Sequence, residues 1–256
     1  MQIKDNIKRA RIDVGMSATA PYSSYWLSTY NDMVVLGFEP NPYNMDRIKD
    51  GNDWLKDDYQ MVHNENVVKI NNEVHSDLEQ RGNQFIPFEA AVDNVDEETK
   101  KIFYCTSKLN TGCSSLYKPI EERLNGVTIE SEVEVSVVGL KSILKDFPWE
   151  QIPYIEFLKV DTQANDLNVI KSVGEYIKKI CFVQAEYFTN GSYEGEKMHH
   201  QCLGELIEYM ESNNFKCYDY STTDASFVNN DLIQYIIENG IKNDGIEHRN
   251  GLNFIV

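Results

Sequence analysis

The chain has 256 residues, with 24 Lys and Arg against 41 Asp and Glu, a formal charge of −17. Hydrophobic residues make up 41% and charged residues 25%, the composition of a globular chain that buries a core without disulfides or structural metals, not of a disordered one. The acidic balance, with no Lys/Arg-rich stretch, speaks against a nucleic-acid backbone or an anionic membrane surface as partner.

No run approaches the roughly 18 apolar residues of a membrane-spanning helix. The opening MQIKDNIKRARIDVG lacks the apolar stretch of a signal peptide, so none is expected. Five widely spaced cysteines (Cys105, Cys113, Cys181, Cys202, Cys217) suit reduced thiols and a cytoplasmic location better than a disulfide framework. No repeat, linker or composition shift divides the sequence, so one domain over 1–256 is expected.

Short apolar runs alternate with amphipathic stretches, the pattern of a sheet built from βαβ units. Residues 11–15 read as a first strand ending in a turn, and Pro21 suits the first turn of a helix to about Tyr30. MVVLGF (33–38) is a second buried strand, stopped by Glu39-Pro40-Asn41-Pro42. Residues 43–84 are polar with a helical rhythm at Val67, Ile70, Val74 and Leu78, and are expected to add a helical cover. Strands are predicted over 85–92 and 101–105, followed by a loop of small residues at 110–115. Residues 132–138 alternate acidic and apolar side chains, like an exposed or edge strand. IEFLKV (155–160) is a strand ending at Asp161, with a helix over 166–176. ICFVQA (180–185) is a strand ending at Glu186. An amphipathic helix over 203–212 and closing strands at 215–220 and 252–256 complete the chain.

Four acids therefore stand at strand ends: Asp13, Glu39, Asp161 and Glu186. Ligands of open α/β sheets bind there, although such acids also serve as helix caps. Gly15 lets the backbone pass close to a ligand, and Glu39, after the second strand, stands where a ribose-binding carboxylate belongs. The G-x-G-x-x-G fingerprint is absent, with Ser17 and Ala20 where further glycines would stand. That points away from a dinucleotide pyrophosphate and toward a nucleoside without phosphates, such as S-adenosylmethionine (SAM).

These blocks resemble the FkbM-type methyltransferases, in order and over nearly the whole chain. IDVGMSAT (12–19) resembles the family's D-x-G-A-N-x-G loop, and FEPNP (38–42) matches its F-E-P-N-P block residue for residue. FEAAVDN (88–94) resembles the strand ending beside the adenine, TGCSSL (111–116) the small-residue loop, and FLKVDTQAND (157–166) the block L-K-[ILV]-D-[VT]-[EQ]-G-x-E. Departures are Thr19 and Ala164 at usual glycine positions and Asp166 at the usual Glu.

The resemblance implies a doubly wound, Rossmann-like α/β sheet of the class I methyltransferase type, with helices on both faces. It implies SAM as cofactor, S-adenosylhomocysteine as product, and a hydroxyl of a sugar, glycan or small natural product as acceptor. By position, the backbone at Asp13, Gly15 and Ser17 would hold the methionine part and Glu39 the ribose, with Pro40 and Asn41 shaping the turn. Ala91, with Glu89 or Ala90 nearby, would border the adenine. Asp161 would face the methyl group and the nucleophile. Asp161 and then Glu186 are the candidate general bases; a divalent ion held by both is the other way to lower the hydroxyl pKa, and no metal site is predicted. His199-His200-x-Cys202 offers a weaker metal or base candidate, and Tyr187, Phe188 and Tyr193 are candidates to stack on a sugar ring. A non-catalytic binding protein on the same fold and a nicotinamide oxidoreductase remain as alternatives.

Overall fold

The computed structural model describes residues 1–50, 80–108 and 110–243. In chain order the strands are β1 (Arg9–Val14), β2 (Met33–Phe38), β3 (Gln84–Phe88), β4 (Ala91–Val92), β5 (Thr99–Thr106), β6 (Ile129–Val138), β7 (Ile155–Val160), β8 (Ile180–Glu186), β9 (Phe215–Tyr220) and β10 (Asp224–Asn229). The helices are α1 (Pro21–Thr29), α2 (Pro42–Asp50), α3 (Leu140–Leu144), α4 (Asp166–Lys171), α5 (His199–Ser212) and α6 (Ile233–Glu238).

Predominantly apolar sequences, buried along nearly their whole length, place β2, β7 and β8 inside a sheet covered on both sides, because an alternating pattern would leave one face wet. The main sheet has seven strands in the order β3-β2-β1-β7-β8-β10-β9. The first five are mutually parallel, and β10 runs antiparallel between β8 and β9. This is the doubly wound, Rossmann-like arrangement expected. On one face, α3, α4 and α5 bury Leu140, Leu144, Val169, Ile170, Leu206 and Met210 against the sheet. On the other, Trp26 and Leu27 of α1 and Ile236 of α6 pack on Val35, Phe157 and Phe182.

The winding direction reverses between β1 and β7, so their carboxyl ends open a crevice. Gly15 crosses it. Its N–H donates to Phe38 O at 3.0 Å, and Asp161 N–H donates to Val14 O at 3.0 Å.

Several expectations are corrected. The predicted strand 85–92 is two strands in different sheets. β3 pairs with β2, the chain breaks at Glu89-Ala90, and β4 pairs with Val137–Val138 of β6. A second sheet of order β4-β6-β5 results, which the linear pattern did not foreshadow. β6 is its middle strand rather than an edge, but β4 reaches only two of its residues, so Glu130, Glu132 and Glu134 stay exposed. The helix expected over 166–176 is α4 followed by a 3-10 turn, Gly174–Lys179, entered through Gly174 at φ 60°. The strand β10 and the helices α3 and α6 have no counterpart among the predicted elements. Positions 252–256, the helical rhythm at Val67, Ile70, Val74 and Leu78, and most of the stretch expected to form a cover lie outside the described residues; α2 occupies its first residues. All five cysteines are free thiols. Among the described residues, no helix is long and apolar enough to cross a membrane.

Candidate active site

A cleft of about 580 Å³, open to solvent, lies at the crevice. Its floor is Gly15, Ser17, Glu39 and Asp161, and its apolar wall includes Ala91, Val92, Phe103 and Leu116. The second sheet supplies Ala91, Val92 and Phe103 and so completes the cleft. The small-residue loop closes another side with Thr111, Gly112 and Ser114. That loop is tied down: Ser114 Oγ accepts Asn41 Nδ2–H at 3.3 Å and Thr106 N–H at 3.0 Å, and Ser115 Oγ donates to Gln163 O at 2.6 Å.

Glu39 is 4% exposed. Its Oε2 accepts Ser17 N–H at 2.7 Å and its Oε1 accepts Asn41 N–H at 2.8 Å. Each oxygen keeps a lone pair. Burial pushes this carboxyl from its ordinary 4.5 up to about 7, against the two N–H donors that favour the charged form. Asp166 is driven up to about 8, first by burial and then by the neighbouring Asp161.

These shifts carry a definite sign. A carboxyl with a raised folded-state pKa holds its proton more tightly folded than unfolded. The stabilisation is full below the unfolded value and is lost as pH rises through about 7 for Glu39 and about 8 for Asp166. The thermal midpoint of the free protein is therefore expected to fall between pH 5.5 and 8.5. Glu39 contributes on the order of 2 kcal/mol to that fall, about 1.5 units from pH 5.5 to about 7 at 1.36 kcal/mol each, so Glu39→Gln should flatten the profile. A midpoint that climbs over this interval contradicts the assignment; differential scanning fluorimetry decides it.

Beside the cleft, one amide joins two carboxylates. Gln163 Nε2 donates to Asp161 Oδ1 at 2.8 Å and to Glu186 Oε2 at 2.6 Å. Its Oε1 accepts from Tyr193 OH at 2.9 Å. Burial, then Asp161, Asp166 and Asp224, raise the Glu186 carboxyl well above the usual range. Glu186 belongs to a second groove of about 840 Å³, with Tyr117, Asp166, Tyr187 and Leu206; Asn165 borders both spaces.

The turn between them is strained, with Gln163 at φ 57° and Ala164 at φ 82°. Position 164 is the one where the resemblance leads one to expect glycine. Ala164→Gly should raise stability by about 1 kcal/mol, since the left-handed region costs an L-residue 1–2 kcal/mol. A urea titration showing the usual loss of an Ala→Gly change would refute this.

The predicted residues divide cleanly. Gly15, Ser17, Glu39, Pro40, Ala91 and Asp161 line the cleft. Asp13 is fully buried and turned to α1: its Oδ2 accepts Ser23 N–H at 3.0 Å and Ser23 Oγ–H at 2.7 Å, capping the first turn after Pro21. Asn41 is a buried strut, its Oδ1 accepting Tyr43 N–H at 3.1 Å. Glu89 is exposed and paired with Lys49. Glu186 is half-buried and reaches Asp161 only through Gln163. Tyr193 is 1% exposed and Tyr187 8%, so neither offers a free ring face. His199 Nε2 lies 3.0 Å from Tyr187 OH. Among the described residues, no three His, Cys, Asp or Glu side chains group to hold a metal ion.

Two residues went unread in the sequence. Gln163 sat within the quoted block without a role. Lys159 is 5% exposed, and its Nζ donates to Gly15 O at 2.8 Å, with Asp161 Oδ2 at 3.4 Å and Asp13 Oδ1 at 3.7 Å. The signal was a lysine inside a strand that is apolar apart from it and Glu156, where a buried cation needs partners.

A doubly wound sheet with an antiparallel β10 between β8 and β9, and a carboxylate-floored cleft at its reversal point, is the architecture of a Rossmann-like methyltransferase fold. The Methyltransferase FkbM domain matches residues 10–217, and the chain belongs to that family. Neither a curated protein nor a solved structure matches the chain.

Proposed function

We propose that this chain is a SAM-dependent O-methyltransferase that acts on a hydroxyl of a sugar, glycan or small natural product. The observation that carries the reading is the buried Glu39 carboxylate on the cleft floor, with a lone pair left on each oxygen for a vicinal diol. The rest of the donor set fits the same ligand. Among the described residues the cleft is lined by two carboxylates and no Lys or Arg. That suits a cationic nucleoside and opposes a pyrophosphate, which disfavours a nicotinamide dinucleotide.

In this reading Glu39 accepts the ribose hydroxyls. The backbone of residues 15–17 holds the amino-acid tail, and Ala91, Val92, Phe103 and Leu116 exclude water around the base. When bound, SAM supplies an electrophilic methyl group on a sulfonium. Asp161, fixed through Oδ1 by Gln163, accepts the hydroxyl proton of the acceptor. Glu186 keeps its own proton at neutral pH and is a partner of Asp161 rather than a second base. The acceptor enters by the second groove, on the β8 side of Asp161. A cytoplasmic location rests on the five free thiols.

Isothermal titration with SAM and S-adenosylhomocysteine tests the cofactor. Micromolar binding is expected, and no heat from folded protein refutes it. Binding without methyl transfer to any of a panel of sugars and polyols would instead favour the non-catalytic alternative.

A further inference from the structure

Lys159 does not line the cleft, yet it touches the two pieces of backbone and side chain that form its floor. It sits on β7 beside β1, in the register Asp13 to Lys159. The ammonium donates to the carbonyl of Gly15 in the first loop. It faces Asp161 Oδ2 on its own strand's end and Asp13 Oδ1 on β1. That Asp13 oxygen is buried and makes no hydrogen bond. The Tyr22 ring of α1 lies 5.2 Å from the ammonium, and the carboxyls of Asp166, Glu39 and Glu186 also feel its charge.

A structural explanation exists: a buried Asp13 needs a counter-charge. It does not account for the Gly15 carbonyl or for Asp161, whose side chain is 43% exposed and has water as an alternative partner. One ammonium bonded to the first loop and to the β7 terminus removes the freedom of each to move against the other. Those segments meet where Gly15 crosses the crevice, joined otherwise by the backbone bond from Asp161 N–H to Val14 O at 3.0 Å.

We propose that Lys159 is a positioning residue of the cofactor cleft, whose buried ammonium locks the Gly15 carbonyl and the Asp161 carboxylate into one arrangement. The binding consequence rests on the reading of the cleft as a SAM site; the locking of the two segments does not.

Lys159→Met alone strands the Asp13 charge and threatens folding. The decisive protein is the full-length double variant Asp13→Asn/Lys159→Met. Its Asn side-chain oxygen still accepts from Ser23, and no buried charge is left unpaired. Hydrogen exchange, followed by mass spectrometry on the free protein, should show residues 15–19 and 161–164 exchanging about tenfold faster, the loss of one charge-assisted hydrogen bond. The thermal midpoint should stay within a few degrees of the parent. S-adenosylhomocysteine should bind about tenfold more weakly by the same reasoning, and Lys159→Arg, which keeps the cation, should recover most of the affinity. If the double variant exchanges like the parent at both segments, Lys159 only neutralises Asp13 and the proposal is wrong. If the parent itself does not bind S-adenosylhomocysteine, the cofactor reading fails, and the exchange rates still decide the role of Lys159.

Discussion

Gly15→Ala is expected to be the most damaging single methyl group in this protein. Gly15 has φ 80°, and a Cβ there would lie 1.8 Å from the carbonyl oxygen of Asp161 and 2.8 Å from its carbon. Backbone cannot swing aside as a side chain can. The loop would have to lift from β7, breaking the Asp161 N–H to Val14 O bond and the Lys159 contact to Gly15 O. The left-handed conformation adds about 1–2 kcal/mol of its own. A total near 4 kcal/mol is expected, among the larger values for a point change. For a chain of this size that lowers the thermal midpoint by about 8–16 °C. A midpoint within about 3 °C of the parent would mean that the loop does not cross β7 this closely.

The second large effect is on the ligand. Glu39→Ala should weaken SAM and S-adenosylhomocysteine by about 1.5–3 kcal/mol, the scale of hydrogen bonds to a charged group. That is roughly 10- to 150-fold in Kd. The change also strips the acceptors from Ser17 N–H and Asn41 N–H, both held by this carboxylate. The loop and the FEPNP turn should therefore loosen together. Because burial pushes Glu39 up to about 7, parent affinity should grow as pH rises through that value, whereas the alanine variant should lack this dependence. Isothermal titration at pH 6 and pH 8 measures both. An unchanged affinity would move the ribose site away from Glu39.

Much of the scaffold could be read before any coordinates. β2, β7 and β8 were legible because a strand buried on both faces is predominantly apolar, here interrupted within by only Glu156, Lys159 and Gln184, and this signal is local. The turn after β2 was legible because two prolines and an asparagine end a strand on their own. The second sheet was not. β4 has two residues, and its pairing partner lies more than forty positions later in β6. No window along the chain contains that relation. β10 was hidden because half of its pairing, with β8, reaches about forty positions back along the chain, although its pairing with β9 is local.

At the site the division is sharper. Asp13, Glu39, Asp161 and Glu186 look alike in sequence, each an acid after an apolar strand. Packing gives them four different roles. Docking of α1 turns Asp13 into a helix cap beside Lys159. The turn at Asn41 and the loop at Ser17 close on Glu39 from both sides and leave it facing the cleft. Gln163, in a left-handed turn, gives Asp161 a partner and draws Glu186 toward it.

The sequence by itself determined an α/β sheet with carboxylates at the ends of its parallel strands, because burial and chain reversal are written residue by residue. Only the tertiary structure decided which carboxylate meets a ligand, which meets a helix and which keeps its proton. Those outcomes depend on neighbours brought in from distant parts of the chain, and on the desolvation and charge they impose.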